Sequence, residues 1–400
     1  MMKRLISFLT IIPLLVIFPV FKGAENKLPK PSGEYPSGVT YLSLTDSSRK
    51  ELFDNDKNRF RELTIKVWYP AGKKTKTELF LEDPDRIISQ FGFSNIYRTL
   101  KTNSSKGVKV SADKDRYPVL IYSHGWGEHY SQNTILMEEL ASHGYIVFSI
   151  AHHYECKFSF YPDGSFITID NNSKRFRDII NEQTNPAAMV IFNKMVTVTD
   201  DYQREKIFEE SCDIMPVLLK ESPAYWAEDI KFMINRLLKI NKSDDLFKSK
   251  LDLDRIGVFG MSMGGIASNE VCLADKRVKA GINIDGGLYG SVLNKDIITP
   301  FLFINSQRYS GYGNLFNSKV ANESYSVTIL NSDHYNFSDY ALYPVINQSQ
   351  IGTIDPQQPI ELMNRLTVMF FNKYLLNKKE KDFQSIFEGI EVEFVSKISR

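Results

Sequence analysis

Residues 255–271 read RIGVFGMSMGGIASNEV, and the fold turns on what Ser262 does between its glycines. Gly260-Met261-Ser262-Met263-Gly264 fits G-x-S-x-G, a pattern that chance supplies readily in a chain with 22 glycines. The flanks decide. Residues 255–259 form an apolar run of strand length, and residues from Gly264 onward read as a helix. A strand entering and a helix leaving make a sharp turn, in which side chains at 260 and 264 would collide and the serine backbone is strained. The helix start beneath Ser262 also favours negative charge developing there. The stretch therefore predicts a nucleophilic serine at the end of a buried strand.

The same alternation extends in both directions. Residues 117–122 (YPVLIY) read as a strand and residues 131–143 as a helix closed by Gly144. A strand follows at 145–151. A second helix starts at Ser222-Pro223 and carries Trp226, Ile230, Met233, Ile234, Leu237 and Leu238 at helical spacing. Further strands are expected at 278–284, 301–304 and 325–330, and a closing amphipathic helix at 362–376. Strands alternating with helices imply βαβ crossovers and a mostly parallel central sheet flanked by helices, the α/β class. Ahead of them, residues 39–42 and 63–69 read as a strand pair that makes the sheet mixed. Residues 25–38, with Pro29, Pro31 and Pro36, read as an extended arm. Residues 71–116 are polar and irregular apart from a short amphipathic piece at 85–91.

Residues 157–220 break the alternation. A YPDGS turn at 161–165 separates short strands, and helical segments follow at 175–181 and 202–219. An insertion after a parallel strand sits at the strand's carboxyl edge, where such sheets bind ligands, so it is expected to cap the site. One domain is expected over residues 25–400.

Charge and composition exclude some classes of function. The net charge is +1, without a basic stripe, so nothing favours nucleic acid as a partner. Residues 1–24 carry Lys3 and Arg4 ahead of the uncharged run 5–21, the pattern of an export signal or an N-terminal anchor, and predict a secreted or cell-envelope protein. The three cysteines, Cys156, Cys212 and Cys272, form no C-x-x-C pair, so a zinc site is not expected. In an exported protein Cys156 and Cys212, at or in the insertion, form the favoured disulfide pair.

A serine needs a base. Of six histidines, at 124, 129, 143, 152, 153 and 334, His334 alone follows Ser262, in a loop beyond the last parallel strand, which is the chain order of serine, acid, histidine. His143 is read as structural, and His152 and His153 as lining the pocket rim. Among the acids between Ser262 and His334, Asp285 stands out because it ends a strand and precedes Gly286-Gly287; Asp296 is the runner-up. The oxyanion needs two donors. One is the backbone N–H of Met263, after the nucleophile. The other is the N–H of Trp126 in SHGWG, the loop after the 117–122 strand, where His124 braces the turn.

Taken together, YPVLIYSHGWGEHY, ELASHGYIVFSIAHHY, GMSMGG, KAGINIDGGLYG, TPFLFINSQ and SDHYNFSDY resemble the secreted platelet-activating-factor acetylhydrolase family, over roughly residues 37–375 and least in the insertion. The resemblance implies an α/β-hydrolase fold and a calcium-independent serine ester hydrolase without cofactor. It implies a preference for short acyl chains at the sn-2 position of phospholipids, with lipid-surface association. It implies the triad Ser262, Asp285 and His334, raising Asp285 above Asp296, with Met263 and Trp126 as oxyanion donors. Two departures bear on the substrate: the insertion differs, and Trp126 stands where a smaller apolar residue is usual. Polyester hydrolases and cutinase-like lipases share the motifs and give the alternative reading. A non-catalytic binding protein of the same fold would be expected to lack a triad member.

Overall fold

Strands that are buried on both faces must be apolar along their whole length, and this chain supplies such runs in order. A computed structural model describes residues 26–53, 58–343, 345 and 350–398; the stretch read as an export signal lies outside the described residues. β1 (Ser37–Lys50) and β2 (Phe60–Pro70) form a long antiparallel pair, followed by β3 (Thr77–Leu79), α1 (Pro84–Phe91) and β4 (Lys101–Lys106). Then come β5 (Tyr117–Ser123), α2 (Thr134–Ser142) and β6 (Ile146–Ala151). The interval after β6 holds β7 (Phe158–Phe160), β8 (Phe166–Thr168), α3 (Lys174–Gln183), α4 (Pro186–Met195) and α5 (Asp201–Ile214). The alternation resumes with α6 (Ser222–Ser243), β9 (Leu251–Met261), α7 (Met263–Cys272), β10 (Val278–Ile284) and β11 (Phe301–Ser306). It ends with α8 (Gly313–Ser318), β12 (Ser324–Ile329), α9 (Gln357–Leu376) and β13 (Val392–Lys397).

The main sheet runs β13-β12-β11-β10-β9-β5-β6-β2-β1-β4-β3. It is parallel from β12 to β6 and turns antiparallel at β2 and at β13. Side chains two apart share a face. Val119, Ile121, Ile256 and Val258 therefore meet Trp226 and Ile230 of α6 and Ile266 of α7. Leu120, Tyr122, Phe259 and Met261 meet Leu136 and Leu140 of α2 and Leu366 and Phe370 of α9 on the other side. Each such buried aliphatic or aromatic side chain contributes roughly 1.5–3 kcal/mol. From β5 the chain builds outward through β6, whereas β9 and its successors build the other way. The order thus reverses between β5 and β9, which opens a crevice at their carboxyl ends.

Three expectations are corrected. Residues 71–116 are not wholly irregular, because the polar strand β4 joins the sheet edge through hydrogen bonds. The backbone N–H of its Asn103 donates to Glu138 Oε1 of α2 at 2.7 Å. The insertion also contains α4, which was not anticipated. Finally, Cys156, Cys212 and Cys272 are all free and buried. Cys156 packs with Tyr130 and Ala151, whereas Cys212 lies on α5 in the large core beside Phe208, so the expected disulfide is not formed.

Candidate active site

Ser262 sits between the last residue of β9 and the first of α7 with φ +55° and ψ −122°, a conformation costing on the order of 1–3 kcal/mol for a residue with a side chain. The surroundings impose it. Ser262 N donates to Ile284 O of β10 at 2.8 Å, while Ser262 O accepts from Gly265 N at 2.9 Å and Ile266 N at 3.1 Å. A Cβ on Gly260 would strike the Gly264 carbonyl, and one on Gly264 would strike the Ser123 carbonyl at the end of β5. Ser262 is half-buried and forms no side-chain hydrogen bond among the described residues, a bond that free enzymes often complete only with substrate in place.

Asp285 follows β10 with φ +52°. Its Oδ1 accepts from Ser306 N at 2.7 Å, and its Oδ2 lies 2.6 Å from His334 Nδ1. His334 opens the helical turn after β12. That turn is held by Asp333, whose Oδ1 accepts from His334 N at 2.7 Å, and by Asn336, whose Oδ1 accepts from Asp333 N at 2.8 Å. A hydrogen bond from Nδ1–H to Asp285 leaves Nε2 with a free lone pair, the tautomer a general base needs. Burial alone would raise the Asp285 carboxyl. The Arg308 guanidinium, His334 and the Ser306 N–H outweigh it and hold the carboxyl down at about 2. Among the described residues Asp296, the runner-up, makes no hydrogen bond to His334, and β10 places Asp285 there instead.

The loop after β5 lies against the elbow. A Cβ on Gly125 would come within 3.4 Å of Ser262 Cβ. The neighbouring loop N–H groups are engaged: Gly125 N donates to Gln132 Oε1 and Gly127 N to Glu155 O, both at 2.9 Å. Those of Trp126 and Met263 have no backbone acceptor among the described residues. The structure thus brings Ser262, Asp285, His334, Met263 and Trp126 to one edge of the sheet.

Beneath the loop lies a network that the sequence did not reveal. His152 Nε2 is 3.0 Å from Ser123 Oγ, and its Nδ1 is 2.8 Å from Asp229 Oδ2 on α6. Arg61 Nη2 donates to the same carboxylate oxygen at 2.6 Å. The Trp226 ring stacks on His152 at 3.9 Å. Burial pushes the His152 ring down to about 4 despite Asp229, so it is neutral. The reading of His152 and His153 as rim residues is therefore corrected: both are buried, His152 against Ser123 at the end of β5 and the His153 ring against Thr64 of β2, whose N–H donates to its Nε2 at 3.2 Å. Asp229, a carboxylate on the apolar stripe of Trp226, Ile230 and Met233, was the available signal; Arg308, in a polar loop, gave none.

The insertion meets the loops around the site at two places. Phe176 of α3 stacks on Trp126 at 5.9 Å, and Phe208 of α5 packs edge-on to Tyr289 at 4.9 Å, four residues after Asp285. Among the described residues, no group of three or more His, Cys, Asp or Glu side chains is arranged to hold a metal ion.

This sheet, with a serine elbow after β9 and a loop histidine beyond β12, defines an α/β-hydrolase. A solved ferulic acid esterase from Streptomyces cinnamoneus shares the fold, with a TM-score of 0.66 and 20% identity over 89% of this chain and 95% of that one. The family model described as platelet-activating factor acetylhydrolase, isoform II, matches residues 21–394, and the chain belongs to that family. The platelet-activating factor acetylhydrolase of Bos taurus is 27% identical over 390 residues, covering 91% of this chain and 81% of its own length. That of Gallus gallus is 23% identical over 408 residues, covering 94% and 90%. A probable 1-alkyl-2-acetylglycerophosphocholine esterase of Arthroderma benhamiae is 22% identical over 285 residues, covering 67% and 60%.

Proposed function

We propose that Ser262, His334 and Asp285 form the catalytic triad of a phospholipid esterase selective for short acyl chains. The chain is a carboxylic ester hydrolase of the platelet-activating-factor acetylhydrolase type. The observation that carries the residue assignment is the 2.6 Å contact of Asp285 Oδ2 with His334 Nδ1, beside a serine held at φ +55°. His334 Nε2 takes the Ser262 proton as Oγ attacks the ester carbonyl. The N–H groups of Met263 and Trp126 receive the oxyanion, and Asp285 stays ionised beside the imidazolium. As the tetrahedral adduct collapses, His334 gives that proton to the leaving oxygen, the neutral alcohol departs, and water, deprotonated by His334, then frees the acyl group by the same route. Trp126, which follows the Gly125 that abuts Ser262, stacks on Phe176, and this bulk beside the serine supports a preference for short acyl groups. A series of phosphatidylcholines differing only in sn-2 chain tests this: acetyl should give the highest kcat/KM, with a steep fall by palmitoyl. Equal turnover of long chains, or faster hydrolysis of a polyester film, would move the protein to the lipase or polyesterase class.

The reading includes association with lipid surfaces. On α4, Met189 is 68% exposed, Val190 55% and Phe192 45%, an apolar face on the insertion that flanks the site. It also includes export. Lys3 and Arg4 followed by the uncharged run 5–21 support a leader. Among the described residues, no helix is long and apolar enough to cross a membrane. The mass of the secreted protein's N-terminal peptide tests cleavage.

A further inference from the structure

Arg308 has no part in the mechanism above, yet it touches the triad acid. It stands on the single helical turn after β11, with Nη2 2.7 Å from Asp333 Oδ1 and Nε 3.6 Å from Asp285 Oδ2. That Asp285 oxygen is the one facing His334 Nδ1 at 2.6 Å. Arg308 Nε is buried without a hydrogen-bond partner, so its approach to Asp285 is a charge contact. Asp333 clamps the guanidinium from the far side while its Oδ1 also accepts from His334 N. A cation, the acid and the base therefore converge on a single carboxylate oxygen.

We infer that Arg308 is an electrostatic positioning residue that sets the pH at which His334 becomes a free base; the inference rests on the triad reading. A triad acid stabilises the imidazolium. A guanidinium sharing the acid's oxygen offsets part of that field, so protonating His334 places a second cation beside Arg308. The imidazole then loses its proton more readily and works as a base to lower pH. The same guanidinium holds the Asp285 carboxylate ionised.

The other ionisable groups at this place do not supply the effect. Asp333, on the His334 loop, is a carboxylate and acts in the opposite direction. Tyr289, after β10, and Tyr309, next to Arg308, are phenols that burial keeps neutral. Tyr335, whose ring lies 5.7 Å from His334, is likewise neutral and donates to Glu128 Oε1 at 3.2 Å. Glu128 itself, from the loop after β5, is a further negative group, with Lys157 behind it at 3.2 Å. Arg308 is the cation in contact with the acid. With its side chain 32% exposed, solvent screens its charge, which limits the size of the shift.

The test is the pH profile of kcat/KM for p-nitrophenyl acetate in the wild type, Arg308→Gln and Arg308→Lys. Arg308→Gln should move the acid limb up by about 0.5–1 pH unit, and Arg308→Lys should keep the wild-type limb. Arg308→Met, which preserves the aliphatic stem, serves if the glutamine variant does not fold. An unmoved limb in Arg308→Gln or Arg308→Met, or an equal shift in Arg308→Lys, would overturn the inference and leave the triad intact. Full activity in His334→Ala would instead sink the triad reading itself.

Discussion

At Ser262 the backbone keeps φ +55°, an unfavourable state that the contacts with Ile284, Gly265 and Ile266 impose. Asp285 repeats the device at φ +52°, with its side chain buried. Its folded carboxyl titrates at about 2 against an ordinary 3.8. A depressed pKa means that the ionised form favours the fold, by roughly 2 kcal/mol above the ordinary value. This contribution fades as pH falls from about 3.8 through about 2. Asp285→Asn should abolish this acid sensitivity, seen as a flatter fall of Tm below pH 4, and should lower kcat by about 10⁴ while KM moves little. Ser262 and His334 were legible in the sequence because chain order left the serine a single downstream histidine. Asp285 was legible because a strand end aims it at the same edge. Arg308 was not, since an arginine in a polar loop has the same appearance whether it meets water or a carboxylate.

Among the elements, the parallel strands were read correctly because burial on both faces demands unbroken apolar runs, as in β5 and β10. β4 was missed because its KTNSSK sequence is held by hydrogen bonds to Glu138 and carries no apolar pattern. α4 was missed for the opposite reason. Its buried Ala188, Ile191 and Met195 alternate with exposed Met189, Val190 and Phe192, so no polar face marks it as a helix. α6 carries the element-scale prediction. Its Asp229 pairs with Arg61 and His152, all fully buried. Asp229→Ala removes one of the two buried carboxylates that hold Arg61, leaving Glu51 as the other, and takes a partner from Arg49; it should cost about 3 kcal/mol, measured as a lower urea midpoint with an unchanged m-value. Because the same carboxylate orients His152 against Ser123, the surviving folded fraction should also lose turnover. Unaltered stability would show that the network is not structural.

For the whole molecule, the sheet order puts the elbow and the loop after β5 on either side of the point where the order reverses, and the insertion flanks them. The exposed α4 face makes a prediction at this scale. Met189→Ser, Val190→Ser and Phe192→Ser together should weaken sedimentation with phosphatidylcholine vesicles at least tenfold while leaving p-nitrophenyl acetate turnover unchanged. Undiminished vesicle binding would place the lipid contact elsewhere. The central claim, that Ser262 is the nucleophile, is tested most directly by a fluorophosphonate probe followed by peptide mass spectrometry. One adduct per chain is predicted, on the peptide containing Ser262, with both labelling and hydrolysis of 1-alkyl-2-acetylglycerophosphocholine lost in Ser262→Ala. An adduct on another serine, or hydrolysis retained by Ser262→Ala, would contradict it.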